Sequence, residues 1–240
     1  MTCPDRLIAL IPAYNEEATV GQIVARVQQL WNCPVIVIDD CSIDATAQVA
    51  RAAGAIVLPL TIQLGAWGAI QTGLRYALQK GYRTAVTLDA DGQHEPASIG
   101  DLLQILAANQ TDVVIGAFPE RASRARRIAW SYFRLLTGIR LEDITSGFRA
   151  YNHAAITVLA SREASLLDYQ DVGVLLILFR KGLRIAEAPV SMQPRAAGAS
   201  RIFVSWWIVG KYMLQTSLLC LARVGYNHLP SDTDDPQPTP

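Results

Sequence analysis

The chain has 240 residues, with 21 Lys plus Arg balanced against 21 Asp plus Glu, and an isoelectric point near 6.8. Zero net charge excludes a chain-wide field for gripping nucleic acid, so no nucleic-acid partner is expected and any basic surface is local. A hydrophobic fraction of 51% against 18% charged excludes a disordered chain, and the length suits one large domain or two small ones with a sizeable core.

In chain order, Leu7 to Ile11 is a short apolar run, expected to be a strand stopped by Pro12. Val20, Ile23, Val24, Val27 and Leu30 follow at helical spacing. Val35 to Ile38 reads as a second strand ending at Asp39-Asp40, and a helix is expected near Asp44, with Asp44 as its cap. Ile56 to Leu58 reads as a third strand; Ile70, Gly73, Leu74 and Ala77 predict another helix. Ala85 to Leu88 and Val113 to Ile115 read as strands four and five, with Ile99, Leu102, Leu103 and Leu106 on one helical face between them. The second half is less regular. Val172 to Lys181 predicts a helix and Arg184 to Val190 a strand, while Ile202 to Ala222 is strongly apolar and the end from Pro230 is acidic and proline-rich.

Apolar strands alternating with helices predict an α/β fold with a parallel or mostly parallel sheet. Such sheets bind ligands beyond the carboxyl ends of their strands. Three polar motifs fall there: Pro12-Ala13-Tyr14-Asn15-Glu16, Asp39-Asp40 and Asp89-Ala90-Asp91. The four cysteines, Cys3, Cys33, Cys41 and Cys220, form no CxxC pair. A zinc ribbon or redox motif is therefore not expected, and reduced thiols in a cytosolic protein are. The N-terminus does not read as a secretory signal.

Asp89-Ala90-Asp91-Gly92-Gln93-His94-Glu95-Pro96 sets two carboxylates around one small residue just after a strand. A hard divalent cation takes oxygen ligands, and Mg²⁺ commonly bridges one or two carboxylates to substrate phosphates. The Gln93 carbonyl, or less favourably His94, is a further candidate ligand. The competing reading is turn chemistry, with Asp91-Gly92 turning the chain and Pro96 starting a helix. Asp39-Asp40 suits hydrogen bonds to a base or ribose, or capping together with Ser42 and Asp44. Gly65-Ala66-Trp67-Gly68-Ala69 leads into a helix but is no Walker A loop, since no Gly-Lys-Ser/Thr follows.

Ile11-Pro12-Ala13-Tyr14-Asn15-Glu16-Glu17, Val37-Ile38-Asp39-Asp40-Cys41-Ser42-Ile43-Asp44-Ala45-Thr46 and Asp89-Ala90-Asp91-Gly92-Gln93-His94 resemble family 2 glycosyltransferases. Asp143 to Tyr151, Glu187-Ala188-Pro189-Val190 and Arg195 to Arg201 make the chain similar to the dolichol-phosphate mannosyltransferase and bacterial polyprenyl-phosphate sugar synthase branch. The resemblance implies a GT-A type, Rossmann-like sheet flanked by helices. It also implies a nucleotide-sugar donor carrying GDP or UDP, with Mg²⁺ or Mn²⁺ as cofactor. By position, Pro12, Tyr14, Glu16 and Asp39 are expected to hold the nucleoside. Asp89, Asp91 and Gln93 are expected to hold the metal and diphosphate, with Ala90 beside the donor. Arg149, Arg195, Ser200 and Arg201 would surround the phosphates: Arg195 and Arg201 on the donor side, Arg149 and Ser200 on the acceptor side. Asp91, Arg149 and Arg195 are the expected catalytic residues. Ile115-Gly116-Ala117-Phe118 stands where the family has Ile-Gly-Ser-Arg, so Arg121 or Arg124 is the candidate replacement at the acceptor phosphate. Gln63 stands where the family has Asn.

The reaction implied is inverting, metal-dependent transfer of a hexose to a polyprenyl phosphate. An ionised lipid phosphate needs no general base, whereas a sugar hydroxyl usually does. The alternatives are a transferase extending a cell-surface polysaccharide at a sugar hydroxyl, and an inactive nucleotide-sugar-binding module. A sugar-phosphate nucleotidyltransferase would favour a glycine-rich, lysine-bearing loop after the first strand, which Pro12 to Glu16 is not. The expected domains are residues 1–200 as the transferase, 201–228 as an apolar helical segment at the membrane interface, and 229–240 as a disordered tail. Lys211 lies near the middle of Ile202 to Ala222. A central lysine costs a membrane span about 2.5–3.5 kcal/mol, against about 0.3–0.6 gained per Leu, Ile, Phe or Val. An interfacial helix is thus favoured over a span or a buried core helix, with Trp206, Trp207 and Tyr212 at headgroup level. Arg124, Arg126 and Arg127 beside Trp130, Tyr132 and Phe133 read as a second membrane contact or as a solvated helix face. The expectation is a protein peripheral to the inner face of the cytoplasmic membrane. A separate membrane protein and a second copy of the chain are candidate partners.

Overall fold

The computed structural model describes residues 6–108, 110–118, 141–166 and 172–193. The chain divides into two units, Met1–Arg201 and Ile202–Pro240, and the described residues all lie in the first. Its strands are β1 (Leu7–Ala13), β2 (Val35–Asp39), β3 (Ile56–Pro59), β4 (Thr84–Thr87), β5 (Val113–Ala117), β6 (Arg149–Tyr151) and β7 (Ile185–Pro189), in one sheet of order β3-β2-β1-β4-β6-β5-β7. Its helices are α1 (Val20–Trp31), α2 (Thr46–Ala52), α3 (Gly65–Gln79), α4 (Ile99–Ala108), α5 (His153–Leu159) and α6 (Val172–Arg180).

The mostly parallel sheet expected from the sequence is observed. β1 pairs in parallel with β2 and β4, β2 with β3, and β5 with β7. β6 runs antiparallel to both β4 and β5. It therefore enters the sheet at the edge where the other six strands leave it. Successive residues of a strand face opposite sides, and both sides are buried here. Leu7, Ala9, Ile11, Val35, Val37 and Val86 share a core with Val20, Ile23 and Val24 of α1, Ala50 of α2 and Leu102 of α4. Ile8, Leu10, Ile36 and Ile38, at the alternate positions, are also fully buried. α3 packs on β1 and β2, α5 on α3, and α6 on α5. That double burial is why these strands read as unbroken apolar runs.

Pro12 does not stop β1. The strand runs to Ala13, with Pro12 opposite Ile38 and Ala13 opposite Asp39 of β2. Residues 9 and 13 bond toward β2 (Ala9 N–H to the Pro34 carbonyl, Asp40 N–H to the Ala13 carbonyl), whereas the Leu10 carbonyl accepts from Leu88 after β4. Even-numbered positions of β1 thus face β4. The missing donor of Pro12 ends the ladder on that side alone, just past Leu10 opposite Thr87. There the strand order reverses, from β1 outward to β2 and β3 on one side and to β4 on the other. This is the switch point at which doubly wound sheets open a ligand crevice.

Candidate functional site

Two loops form the β2 side of the crevice. After β1, the Asn15 N–H donates to Ser42 Oγ at 3.0 Å, and Asn15 Oδ1 accepts from the Ile43 N–H at 2.9 Å. The Glu16 N–H donates to Thr46 Oγ1 at 2.8 Å, and the Glu17 carboxylate accepts from the Ala45 N–H at 2.9 Å. Asn15 and Cys41 take positive φ, 54° and 63°, which aims the loops back at each other; Asn tolerates that region well. Asp39 is buried, and its Oδ1 accepts from the Ser42 N–H at 3.2 Å. Pro12, Tyr14 and Glu16 are half-buried on the same edge. The four residues expected to hold the nucleoside therefore lie at the ends of two adjacent strands.

Asp40 caps a different helix from the one expected. Its Oδ1 and Oδ2 accept from the N–H groups of Leu64 and Gly65 at 2.6 and 2.9 Å, tying down the start of α3. The first donor of the glycine-rich turn, the Gly65 N–H, thus goes to a carboxylate of the fold. Asp44 sits one residue ahead of the N-cap of α2, which is Ala45. It still does a cap's work, accepting from the Thr46 N–H at 2.9 Å. Partial burial raises its pKa, but hydrogen bonds from the Thr46 hydroxyl and from the Thr46 and Glu17 N–H groups outweigh this and hold it below the ordinary value.

On the β4 side the chain turns at Gly92, with φ 79°. Asp91 is buried, and its Oδ1 accepts from the Gln93 N–H at 3.1 Å. Pro96 opens a short 3-10 turn, Pro96–Ser98, behind the cap Glu95. The turn reading of this segment is thus correct, and it leaves the acidic reading intact: the Asp89 side chain is 42% exposed. Thr19, at the start of α1, reaches across the switch point to donate to the Ala90 carbonyl at 2.6 Å. His94 is not placed as a ligand. Its ring is buried, with Nδ1 accepting from the Asp89 N–H at 3.0 Å. A hard cation suits two carboxylates and the Gln93 amide. Among the described residues no three His, Cys, Asp or Glu side chains converge into a metal cluster. Two carboxylates and an amide are the kind of partial donor set that phosphate oxygens and water complete around a hard cation.

The segment entering β6 closes the other wall. Gly147 lies so near Asp89 that an added Cβ would stand 2.6 Å from Asp89 Oδ1. Arg149 is expected on the acceptor-phosphate side. It is fully buried, and its Nε and Nη2 donate to the carbonyls of Ser146 and Ile144 at 2.8 and 3.0 Å. It braces the turn from inside. Glu187 of β7, to which the sequence assigned no role, accepts from the N–H groups of Glu142 and Asp143, both at 2.8 Å. Burial pushes its carboxyl above the ordinary value; the hydrogen bonds oppose that, and repulsion from Glu142 and Asp143 adds to it. Its place in Glu-Ala-Pro-Val was the only signal. Arg121, Arg124, Arg195, Ser200 and Arg201, and the whole of 202–222, lie outside the described residues. Among the described residues no helix is long and apolar enough to cross a membrane.

Comparison with known proteins agrees with this geometry. The chain is 32% identical to undecaprenyl-phosphate mannosyltransferase of Micrococcus luteus, over 90% of this chain and 95% of that one. It is 29% identical to polyprenol monophosphomannose synthase of Mycolicibacterium smegmatis, over 82% of this chain and 81% of that one. A crystal structure of glucosyl-3-phosphoglycerate synthase from Mycobacterium tuberculosis with Mn²⁺, uridine diphosphate and phosphoglyceric acid superposes with a TM-score of 0.70, at 21% identity, over 95% of this chain and 81% of that one. At that identity the likeness establishes the GT-A type fold alone. The family model of glycosyl transferase family 2 matches residues 8–162, and the chain is a glycosyltransferase belonging to that family.

Proposed function

We propose that the chain transfers a hexose, with inversion, from a GDP- or UDP-sugar to a polyprenyl phosphate at the inner face of the cytoplasmic membrane. The observation that carries this reading is the 32% identity, across 90% of the chain, to a relative named for transfer of mannose to undecaprenyl phosphate. The site chemistry supports it. Pro12, Tyr14, Glu16 and Asp39 line the β2 side of the switch point, where a nucleoside would lie. Asp89, Asp91 and Gln93 would hold Mg²⁺ or Mn²⁺ on the other side. A bound divalent cation would offset the charge that gathers on the departing nucleoside diphosphate.

The chain's own residues do the rest. The laced loops after β1 and β2 hold the donor's nucleoside in one pose, which removes freedom before the reaction begins. The acceptor phosphate is ionised at neutral pH, so no side chain need remove a proton from it. The protein must bring that anion in line with the anomeric carbon and offset its repulsion from the donor diphosphate. Arg195 and Arg201 are proposed for the donor side, with Ser200 and Arg121 on the acceptor side, because forked guanidinium groups pair well with phosphate. Arg149 contributes by holding the turn that carries Gly147. The apolar stretch Ile202 to Ala222 would keep the enzyme beside its lipid acceptor.

Incubating the purified chain with radiolabelled GDP-mannose, UDP-glucose or UDP-N-acetylglucosamine and undecaprenyl phosphate tests the reading. Label should enter the organic phase with one of these donors and require the lipid phosphate. Label found only in water-soluble glycan would overturn it.

A further inference from the structure

We propose that His94 is a positioning residue that sets the orientation of the Asp89 carboxylate toward a divalent cation. The inference rests on the metal reading of Asp89 given above. His94 lies within the Asp89–Glu95 turn, but its side chain is only 1% exposed. Nδ1 accepts the Asp89 main-chain N–H, so that nitrogen carries no proton and the neutral ring is the Nε2–H tautomer. Nε2 is buried and has no hydrogen-bond partner among the described residues. Buried donors are seldom left so. An acceptor in reach is Asp89 Oδ2, at 3.7 Å. The carboxylate need come only about 0.7 Å nearer to reach an ordinary N–H···O distance.

The ring cannot drift to meet it. His94 stacks on Phe148, with centroids 5.1 Å apart and planes 19° apart, and Phe148 is fully buried. The main chain of His94 bridges that of Met192, and the Gln193 N–H donates to the Gln93 carbonyl at 2.8 Å. At Gly147 an added Cβ would stand 2.6 Å from Asp89 Oδ1 and 3.1 Å from Oδ2, so the backbone there leaves the carboxylate no room for even a methyl group. One carboxylate, still 42% exposed at its side chain, therefore stands close to both a fixed imidazole and a fixed main chain. Side chains that orient a metal-binding carboxylate in this way commonly govern cation affinity by about 10- to 100-fold.

The test separates the two ring nitrogens. His94→Gln places an amide nitrogen where Nε2 stood. His94→Asn places an amide where Nδ1 stood and restores only the contact to the Asp89 N–H. Binding of Mn²⁺ alone to the purified full chain is titrated by the paramagnetic resonance of the free ion, beside thermal melts. His94→Gln should bind Mn²⁺ within about threefold of wild type, and His94→Asn about 10- to 100-fold more weakly. Gly147→Ala, which crowds the carboxylate from the Gly147 backbone, should weaken Mn²⁺ comparably without altering the ring's own chemistry. Nitrogen-15 shifts of the wild-type ring should report the Nε2–H tautomer, whatever the variants' folding. Asn matching wild type, Gly147→Ala binding normally, or the opposite tautomer would each overturn the proposal. A wild-type chain that binds no Mn²⁺ would overturn it together with the metal assignment; lipid labelling that persists in chelator would still leave the transfer reading standing. Conversely, Mn²⁺ binding with this ranking but no lipid labelling would uphold His94 and sink the acceptor assignment.

Discussion

The loops after β1 and β2 are joined by short polar side chains reaching main-chain groups 27 to 30 positions away. The Asp89 side of the switch point is built otherwise. Its long-range bonds join segments 44 to 71 positions apart, as in Glu187 with Asp143, Thr87 with Gly147 and Thr19 with Ala90. Its shape depends on a close main-chain approach at Gly147 and a stacked ring at His94. The first side is a preformed cradle in which each loop satisfies the other's donors. The second is a joint between distant segments, so substitutions far from Asp89 and Asp91 should act on the chemistry there. On the proposed function, one side would hold the donor still and the other would carry the groups whose charges change.

Replacing Asp91 should break the comparison most sharply. Asp91→Ala removes a carboxylate proposed to hold the cation, and charge stabilisation of that kind is worth several kcal/mol. At about 1.4 kcal/mol per decade, turnover should fall by at least about a hundredfold. Nucleotide affinity measured without metal should change little, because the cradle is on the other side. Transfer to undecaprenyl phosphate and calorimetry with GDP or UDP in chelator measure the two. Equal losses in both would mean that the sides are not separable.

Asp40→Ala should do the reverse, costing stability before chemistry. It removes two charge-assisted bonds to the first N–H groups of α3, in a buried position. Loss of such a cap costs about 2 kcal/mol. Urea unfolding should show that loss, while saturated turnover per folded molecule stays near wild type. An unfolding free energy unchanged within about 0.5 kcal/mol would place Asp40 outside the framework of the fold.

The same contrast explains what the sequence disclosed. β1, β2 and β4 were legible because burial on both faces leaves an unbroken apolar run, and α1 because Val20, Ile23, Val24 and Val27 recur at helical spacing. β6 was not legible. It has three residues, begins with Arg149, and is a strand only because β4 and β5 pair with it from both sides. α5 was missed too, though Asn152 caps it by accepting from the Ala155 N–H; seven residues are too few for a clear period. In the site, the cradle was legible as motifs, because its residues are near in sequence and chemically distinctive. The roles of Arg149, His94 and Glu187 were not, since each depends on what a distant segment brings alongside. Arg149 shows what burial adds to a reading of charge: expected at a phosphate, it is fully buried and donates to the Ser146 and Ile144 carbonyls.

The finest expected difference is in the pH response of the two sides. Asp44 in the cradle is held below the ordinary aspartate value of 3.8, and Glu187 at the joint above the ordinary glutamate value of 4.5. Linkage fixes opposite signs. A carboxyl with a lowered folded pKa binds fewer protons folded than unfolded, so its contribution is present above 3.8 and fades as pH falls through the lower folded value. A carboxyl with a raised folded pKa holds its proton longer in the folded chain. Its contribution is complete below 4.5 and is lost as pH rises through the higher folded value. Urea unfolding of wild type, Asp44→Asn and Glu187→Gln between about pH 3 and about pH 7 reads both. The advantage of wild type over Asp44→Asn should grow with rising pH, and that over Glu187→Gln should shrink. The Gln variant keeps an acceptor for the Asp143 N–H, so it isolates the charge from the tether. Two slopes of the same sign would show that Glu187 is stabilised as an anion. The joint would then be held by the same charge-assisted logic as the cradle.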